Sequence, residues 1–349
     1  MAVLNHQKPD RPPLNYYGTE ATTQKLLKHL GFATRLELQQ HLGADFRYVG
    51  PEYVGPSELC GITGFHCGGT DVWGIRWIPA PNAYCTYYNS IPSLANAETI
   101  EDLDNHPWPK LDWFSFRNLK EQIKKLNDLD RYAIVYADCN FFEVGGWMRG
   151  LEQILIDIIE RPEFVQHLLQ KVTTFYRDLA MRAIDAAGDG IDIIWSTSDV
   201  GTQTSLMFSP ATWRQQIKPW HQMLITPFKQ MGFKTRYHSD GAIAPIIEDL
   251  IEMGLDLLDP IQPDTPGMSP EELTGKFRGR LAYYGGINTQ TLLPHGTAKE
   301  VETEVLRYIR VLGEQNSYGY CVAASNSLQP DVPVENILTM FRTAKEYRY

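Results

Sequence analysis

The chain has 349 residues, 43% hydrophobic and 21% charged, a balance ordinary for a globular protein and ample for a large core. Lys and Arg total 32 against 42 Asp and Glu, and the formal charge of −10 speaks against nucleic acid, whose phosphates need a basic face, and against a polyanionic substrate. Five scattered cysteines (Cys60, Cys67, Cys85, Cys139, Cys321) form no CxxC pair, the N-terminus has no apolar signal core, and no run is long enough to span a bilayer, so reduced thiols, a cytoplasmic location and no membrane association are expected.

In chain order, residues 43–50 are expected to hold a first strand. Residues 51–115, rich in Pro, Gly and aromatics, read as irregular structure at the entrance of the fold. Residues 132–137 read as a strand, and helical patterns follow over 150–160 and 162–187. From there strands and helices alternate. Residues 191–196 form a strand, and Ser209-Pro210 starts a helix. Residues 233–238 form the next strand and 244–253 a helix closed by Gly254. A strand over 255–259 precedes a helix starting at Ser269-Pro270, and a strand over 281–284 precedes a long helix over 297–312. A last strand over 318–324 and a terminal helix over 334–347 complete the pattern.

Strands alternating with helices imply a parallel sheet, and the chain lacks both GxGxxG and a P-loop, which an open doubly wound sheet would favour. The expected fold is therefore a (β/α)8 TIM barrel with an irregular N-terminal extension. The whole of 1–349 reads as one domain, with entrance insertions in 1–115 and the main barrel units in 116–349.

The strand ends carry the chemistry. In a strand, residues two apart face one side, so His238 and Asp240 aim at one point where a strand stops. An imidazole and a carboxylate converging there can move a proton or bind a metal. The neighbouring strand ends supply Asp199, Gln203, Gln262, Asn288, Gln290 and Asn326, and Glu143 follows the strand over 132–137. Each alone fits a helix cap or a turn, but five successive polar strand ends exceed the needs of caps and mark the carboxyl rim of a barrel. We take His238, Asp240 and Asp199 as the catalytic candidates. Glu143, Gln203, Tyr237, Gln262, Asn288, Gln290 and Asn326 are the substrate-binding candidates, and Cys321, inside the last strand, is a core thiol. The chain also holds 18 Tyr, 14 Phe and 8 Trp, crowded in the first half (Trp73, Trp77, Tyr84, Tyr87, Phe141, Phe142, Trp147), enough to serve both packing and a planar substrate.

Several stretches together resemble the uroporphyrinogen decarboxylase-like superfamily, and most of all its corrinoid-dependent methyltransferase branch. They are Leu4-Asn-His-Gln-Lys-Pro-Asp-Arg-Pro-Pro13, Asp71-Val-Trp-Gly74, Asp199-Val-Gly-Thr-Gln203, His238-Ser-Asp-Gly241, Asp259-Pro-Ile-Gln-Pro263, Gly285-Gly-Ile-Asn-Thr-Gln290 and Gln329-Pro-Asp-Val-Pro-Val-Glu-Asn336. The resemblance implies a β/α barrel that moves a methyl group between a small molecule and the cobalt of a corrinoid (cobalamin) held by a separate protein. Asp104-Asn-His106 is not a DxHxxG cobalamin motif, so the corrinoid is expected on a partner. Thiol-methylating relatives carry zinc on His-x-Cys and a second Cys near the last strand. Here those positions are His238, Asp240 and the region of Asn326, so any metal would rest on His238 and Asp240, a donor set without the thiolates that favour zinc.

The reading that follows is transfer of a methyl group from a small, methoxylated aromatic donor to a partner's Co(I) corrinoid, with His238 protonating the leaving oxygen and Asp240 orienting the ring. The alternatives are a porphyrinogen decarboxylase-type lyase, disfavoured by the acidic chain and the single Arg of Arg11–Thr22, and a binding protein on the same fold. Any homo-oligomer is expected to use a face away from the mouth, which a corrinoid-bearing partner must reach.

Overall fold

The structure, a computed structural model, describes residues 1–62, 68–82 and 86–349, so Cys67, Tyr84 and Cys85 lie outside the described residues. Contacts divide the chain into two units. The first comprises Met1–Phe46, Gly201–Leu206 and Arg236–Tyr349, and the second comprises Arg47–Val200 and Met207–Thr235.

Among the described residues seven strands follow the strand–helix pattern: β1 (Phe46–Val49), β2 (Ala133–Asn140), β3 (Ile193–Thr197), β4 (Lys234–His238), β5 (Leu257–Ile261), β6 (Ala282–Gly285) and β7 (Tyr320–Cys321). In the second unit β2 pairs parallel with β3. In the first, β4 pairs with β5, β5 with β6 and β6 with β7, all parallel. The sequence points to eight strands closed into a TIM barrel. The structure gives a mixed α/β fold with seven parallel-type strands, and a closed barrel is not assigned. The last strand is the weak point. Ser317 and Tyr318 take left-handed φ values of 51° and 63°, so extended backbone starts only at Tyr320, and beyond Cys321 the pairing continues as single bridges, Leu14 with Val322 and Ile287 with Ala324.

Local chemistry explains most helix boundaries. Ser269 accepts from the Glu272 amide and Glu272 answers, a capping box that opens Pro270–Phe277. Thr297 and Glu300 do the same for Ala298–Tyr308, which passes into a π-helical turn at Ile309–Gly313. Gly254, at φ 103°, closes Ile247–Met253.

Three expectations are corrected. The N-terminal extension is not irregular: it forms Glu20–Leu30 and Arg35–Leu42, capped by Thr19 and by Thr34 with Glu37. Residues 51–115 contain an antiparallel sheet of Gly69–Thr70, Arg76–Pro81 and Thr86–Ile91, with Glu52–Tyr53 paired to Phe114–Ser115. Pro79 and Pro81 hid the middle strand. Finally, Phe142–Arg149 is a helix although Gly145-Gly146 lowers its propensity. A Cβ on Gly145 would come within 2.9 Å of Leu169 Cδ2, so the glycine lets this helix close against Pro162–Ala187.

The core of the second unit gathers on Pro162–Ala187, where Trp73 meets Phe175 at 5.1 Å between ring centroids. It also holds a buried ion pair, Arg149 Nε to Asp157 Oδ2 at 2.7 Å, whose guanidinium further donates to the Leu94 and Ala97 carbonyls at 2.8 Å each.

Candidate active site

The site is built on β4 and β5 of the first unit. Register sets Asp259 directly opposite His238 and Leu257 opposite Arg236. Arg236 and His238, two apart, share a face of β4, and Asp259 projects to both. Asp259 Oδ2 accepts from Arg236 Nε at 2.9 Å and from His238 Nδ1 at 3.2 Å, and lies 2.8 Å from Arg236 Nη2. The Arg236 guanidinium lies 4.0 Å above the Tyr284 ring. Asp259 and Arg236 are almost fully buried, whereas the His238 side chain is 21% exposed. Burial alone would raise the Asp259 carboxyl, but the Arg236 charge and His238 outweigh it and hold the group below its ordinary range.

Beyond His238 the chain turns at Ser239-Asp240-Gly241, with Gly241 at φ 87°. A non-glycine residue there would be strained, and its Cβ would meet the Thr202 carbonyl at 2.5 Å. Asp240 lies beside the imidazole, Oδ1 being 3.9 Å from His238 Nε2, too far for a hydrogen bond. Its Oδ2 accepts from Asn326 Nδ2 at 2.6 Å. Asp259, whose Oδ2 meets His238 Nδ1, is a residue that the sequence placed at a strand end and did not select. Its strand runs Leu257–Ile261, two residues later than the apolar pattern suggests, so Asp259 is a central strand residue. The signal that could have found it was the buried Arg236 two before His238, which needs a counter-charge.

Gln262 follows β5 and accepts from the Gly241 amide at 2.9 Å, while Gln203 Nε2 donates to the same oxygen at 3.3 Å. The structure therefore gathers His238, Asp240, Asn326, Gln262 and Gln203 through one set of contacts. Asn288 has a local role: its Oδ1 accepts from the Gln290 and Thr291 amides at 2.8 and 2.7 Å, an Asx turn after β6, and its amide contacts Asp264. Gln290 is exposed, and Tyr237 is fully buried in β4 opposite Leu258. In the second unit, Asp199 lies half-buried two residues past β3, and Glu143, in the first turn of Phe142–Arg149, accepts from Asn140 Nδ2 at 2.9 Å.

The first unit offers one imidazole nitrogen and one carboxylate at the turn, and the thiol of β7, Cys321, is buried, its pKa pushed up to about 12 by burial. Cys60, Cys139 and Cys321 are free thiols. Among the described residues no helix is long and apolar enough to cross a membrane.

Parallel strands alternating with helices, and polar residues at strand ends, define an α/β fold of the enzyme-bearing type. The same fold occurs in a methyltransferase from Methanosarcina mazei, with a TM-score of 0.67 at 17% identity over 99% of this chain and 96% of that one. A structure of Dispersin B aligns at a TM-score of 0.44 and 13% identity over 97% and 99% of the two chains, too weak a likeness to argue from. A search of curated proteins finds no match. The profile of the uroporphyrinogen decarboxylase (URO-D) family matches residues 142–347, and the chain belongs to that family.

Proposed function

We propose that this protein is a methyltransferase that removes a methyl group from a small, methoxylated aromatic compound and delivers it to the Co(I) corrinoid of a partner protein. The corrinoid is a substrate here, presented by the partner. Its cobalt attacks the methyl carbon in line, and the carbon–oxygen bond breaks with its electron pair on oxygen. The protein's own task is to make that oxygen a better leaving group. His238 Nε2–H protonates it as it departs, and general acid catalysis of this kind contributes about 10²- to 10⁴-fold. Asp240 and Asn326 fix the polar wall beside the imidazole, while Gln203 and Gln262 offer amides to ring substituents. Asp199, Glu143, Asn288, Gln290 and Tyr237 remain candidates for substrate contact. No step is assigned to a metal.

The observation that carries this reading is the partly exposed His238, backed by a buried Arg–Asp pair and with its Nε2 side toward Asp240. The family name also admits decarboxylation of a tetrapyrrole. Against it, Arg11, the one arginine of the N-terminal segment where that chemistry recruits several, is held bidentate by Asp45 at 2.8 Å on both nitrogens.

The test is an anaerobic absorbance assay with Co(I) corrinoid, free or on a carrier protein, against methoxyarenes, methylamines and methyl thioethers. Loss of the Co(I) band with growth of methyl-Co(III) for the methoxyarenes is expected. Response only to another donor class, or release of CO2 from a porphyrinogen with no methyl transfer, would overturn the reading.

A further inference from the structure

We propose that the outward face of the helix Leu151–Glu160 docks a second, different protein, through an apolar helix of that partner flanked by Lys or Arg. The proposal stands apart from the methyl transfer above and uses the second unit alone.

The helix reads Leu-Glu-Gln-Ile-Leu-Ile-Asp-Ile-Ile-Glu, with six apolar residues in ten, more than one core-facing stripe holds. Their positions divide them. Ile154 and Ile158, four apart, are buried, as is Asp157, which accepts from the buried Arg149 at 2.7 Å. Two rows at i, i+4 spacing face outward instead. One is Leu151, Leu155 and Ile159, and the other is Glu152, Ile156 and Glu160. Leu151, Ile156 and Ile159 are 51%, 41% and 69% exposed, and Leu155 is partly exposed between them. Single exposed apolar residues are normal on a surface, but a contiguous stripe about 15 Å long marks a contact. Rows at this spacing pack into the grooves of another helix.

The acids beside the stripe define the partner's charge. Glu152 and Glu160 sit on the outward rows, and Glu163 follows in the first turn of Pro162–Ala187. All three are exposed, and among the described residues none forms an ion pair. The arginines that flank the helix in sequence are taken, Arg149 by Asp157 and Arg161 by Glu98 at 3.2 Å. A second copy meeting this face across a two-fold axis would set Glu152 and Glu160 against their own like. A helix that lies on a membrane carries Lys and Arg on its polar side, and anionic lipid repels this one. An apolar helix with basic flanks satisfies both the stripe and the acids. One helix face offers less than the roughly 800 Å² per partner of a stable complex, so the contact is transient.

The probe is a labelled synthetic helix with Leu at i, i+3, i+4 and i+7 flanked by Lys, together with a twin carrying Glu in place of Lys. Fluorescence anisotropy with the full-length protein should show the Lys helix binding about tenfold tighter than its twin. Ile156→Ser with Ile159→Ser should weaken that binding about tenfold. Glu152→Lys with Glu160→Lys should reverse the preference in favour of the Glu twin. All four positions are exposed, so melting temperatures should match the wild type. Failure of the Lys helix to bind overturns the proposal. So does equal binding by the wild type and the Ser variant, since binding would then report the acidity of the whole chain. A wild-type dimer in sedimentation velocity that the Ser variant loses would assign the face to a second copy and overturn it too. Pelleting with phosphatidylserine vesicles that the Ser variant loses would do the same in favour of lipid.

Discussion

His238 and His221 show how differently one side chain can be used. His221, in the second unit, is wholly buried between Phe141 and Trp213, with ring centroids 4.8 and 5.5 Å away. Burial depresses its pKa to about 3, so it stays neutral near neutral pH. His238 is partly exposed, meets a carboxylate on Nδ1 and lies near another on Nε2. What separates the two rings is full burial in one case and access to solvent beside carboxylates in the other, not the residue type.

The sharpest way to break this comparison is to remove each ring. His238→Ala should cut methyl transfer by about 10²- to 10⁴-fold, with an unchanged melting temperature. Retained activity would remove His238 from the chemistry. His221 should act on stability and only in acid. Its folded pKa lies below the unfolded value, so the unfolded chain binds the extra proton and stability falls as pH drops below about 6.5 toward 3. Urea denaturation at pH 7.5 and pH 5 should show the wild type losing about 2 kcal/mol more than His221→Leu. An equal loss in both proteins would show that His221 is protonated in the fold. Asn326→Ala removes the 2.6 Å hydrogen bond to Asp240, and about a tenfold loss of turnover is expected from one hydrogen bond to a charged group. The smallest effect is a control away from both rings. Ser269→Ala removes an N-cap and should cost about 1 kcal/mol in urea denaturation with full activity retained.

The second half of the chain was legible because each strand–helix unit there announces itself by period and cap: the expected starts at Ser209-Pro210 and Ser269-Pro270 are real N-caps, and the strand over 233–238 is β4 less one residue. The first half resisted. Prolines inside Arg76–Pro81 and the glycine pair inside Phe142–Arg149 contradict local propensity, and only tertiary packing overrides them. At the site, His238, Asp240 and Asn326 were readable as polar strand ends. Asp259 was not, because a carboxylate in the middle of a buried strand makes sense only once register brings Arg236 and His238 to it.

Gly201 and Gly241 carry a consequence for how such a site can change. A Cβ on Gly201 would sit 2.5 Å from the Asp240 carbonyl, one on Gly241 would sit 2.5 Å from the Thr202 carbonyl, and the Ala242 amide donates to Thr202 at 2.8 Å. The turn that bears Asp240 and the turn that bears Gln203 are in effect welded backbone to backbone. Neither can lengthen or tilt alone, so a lineage or an engineer seeking a new donor must replace both turns together or leave them and work through side chains.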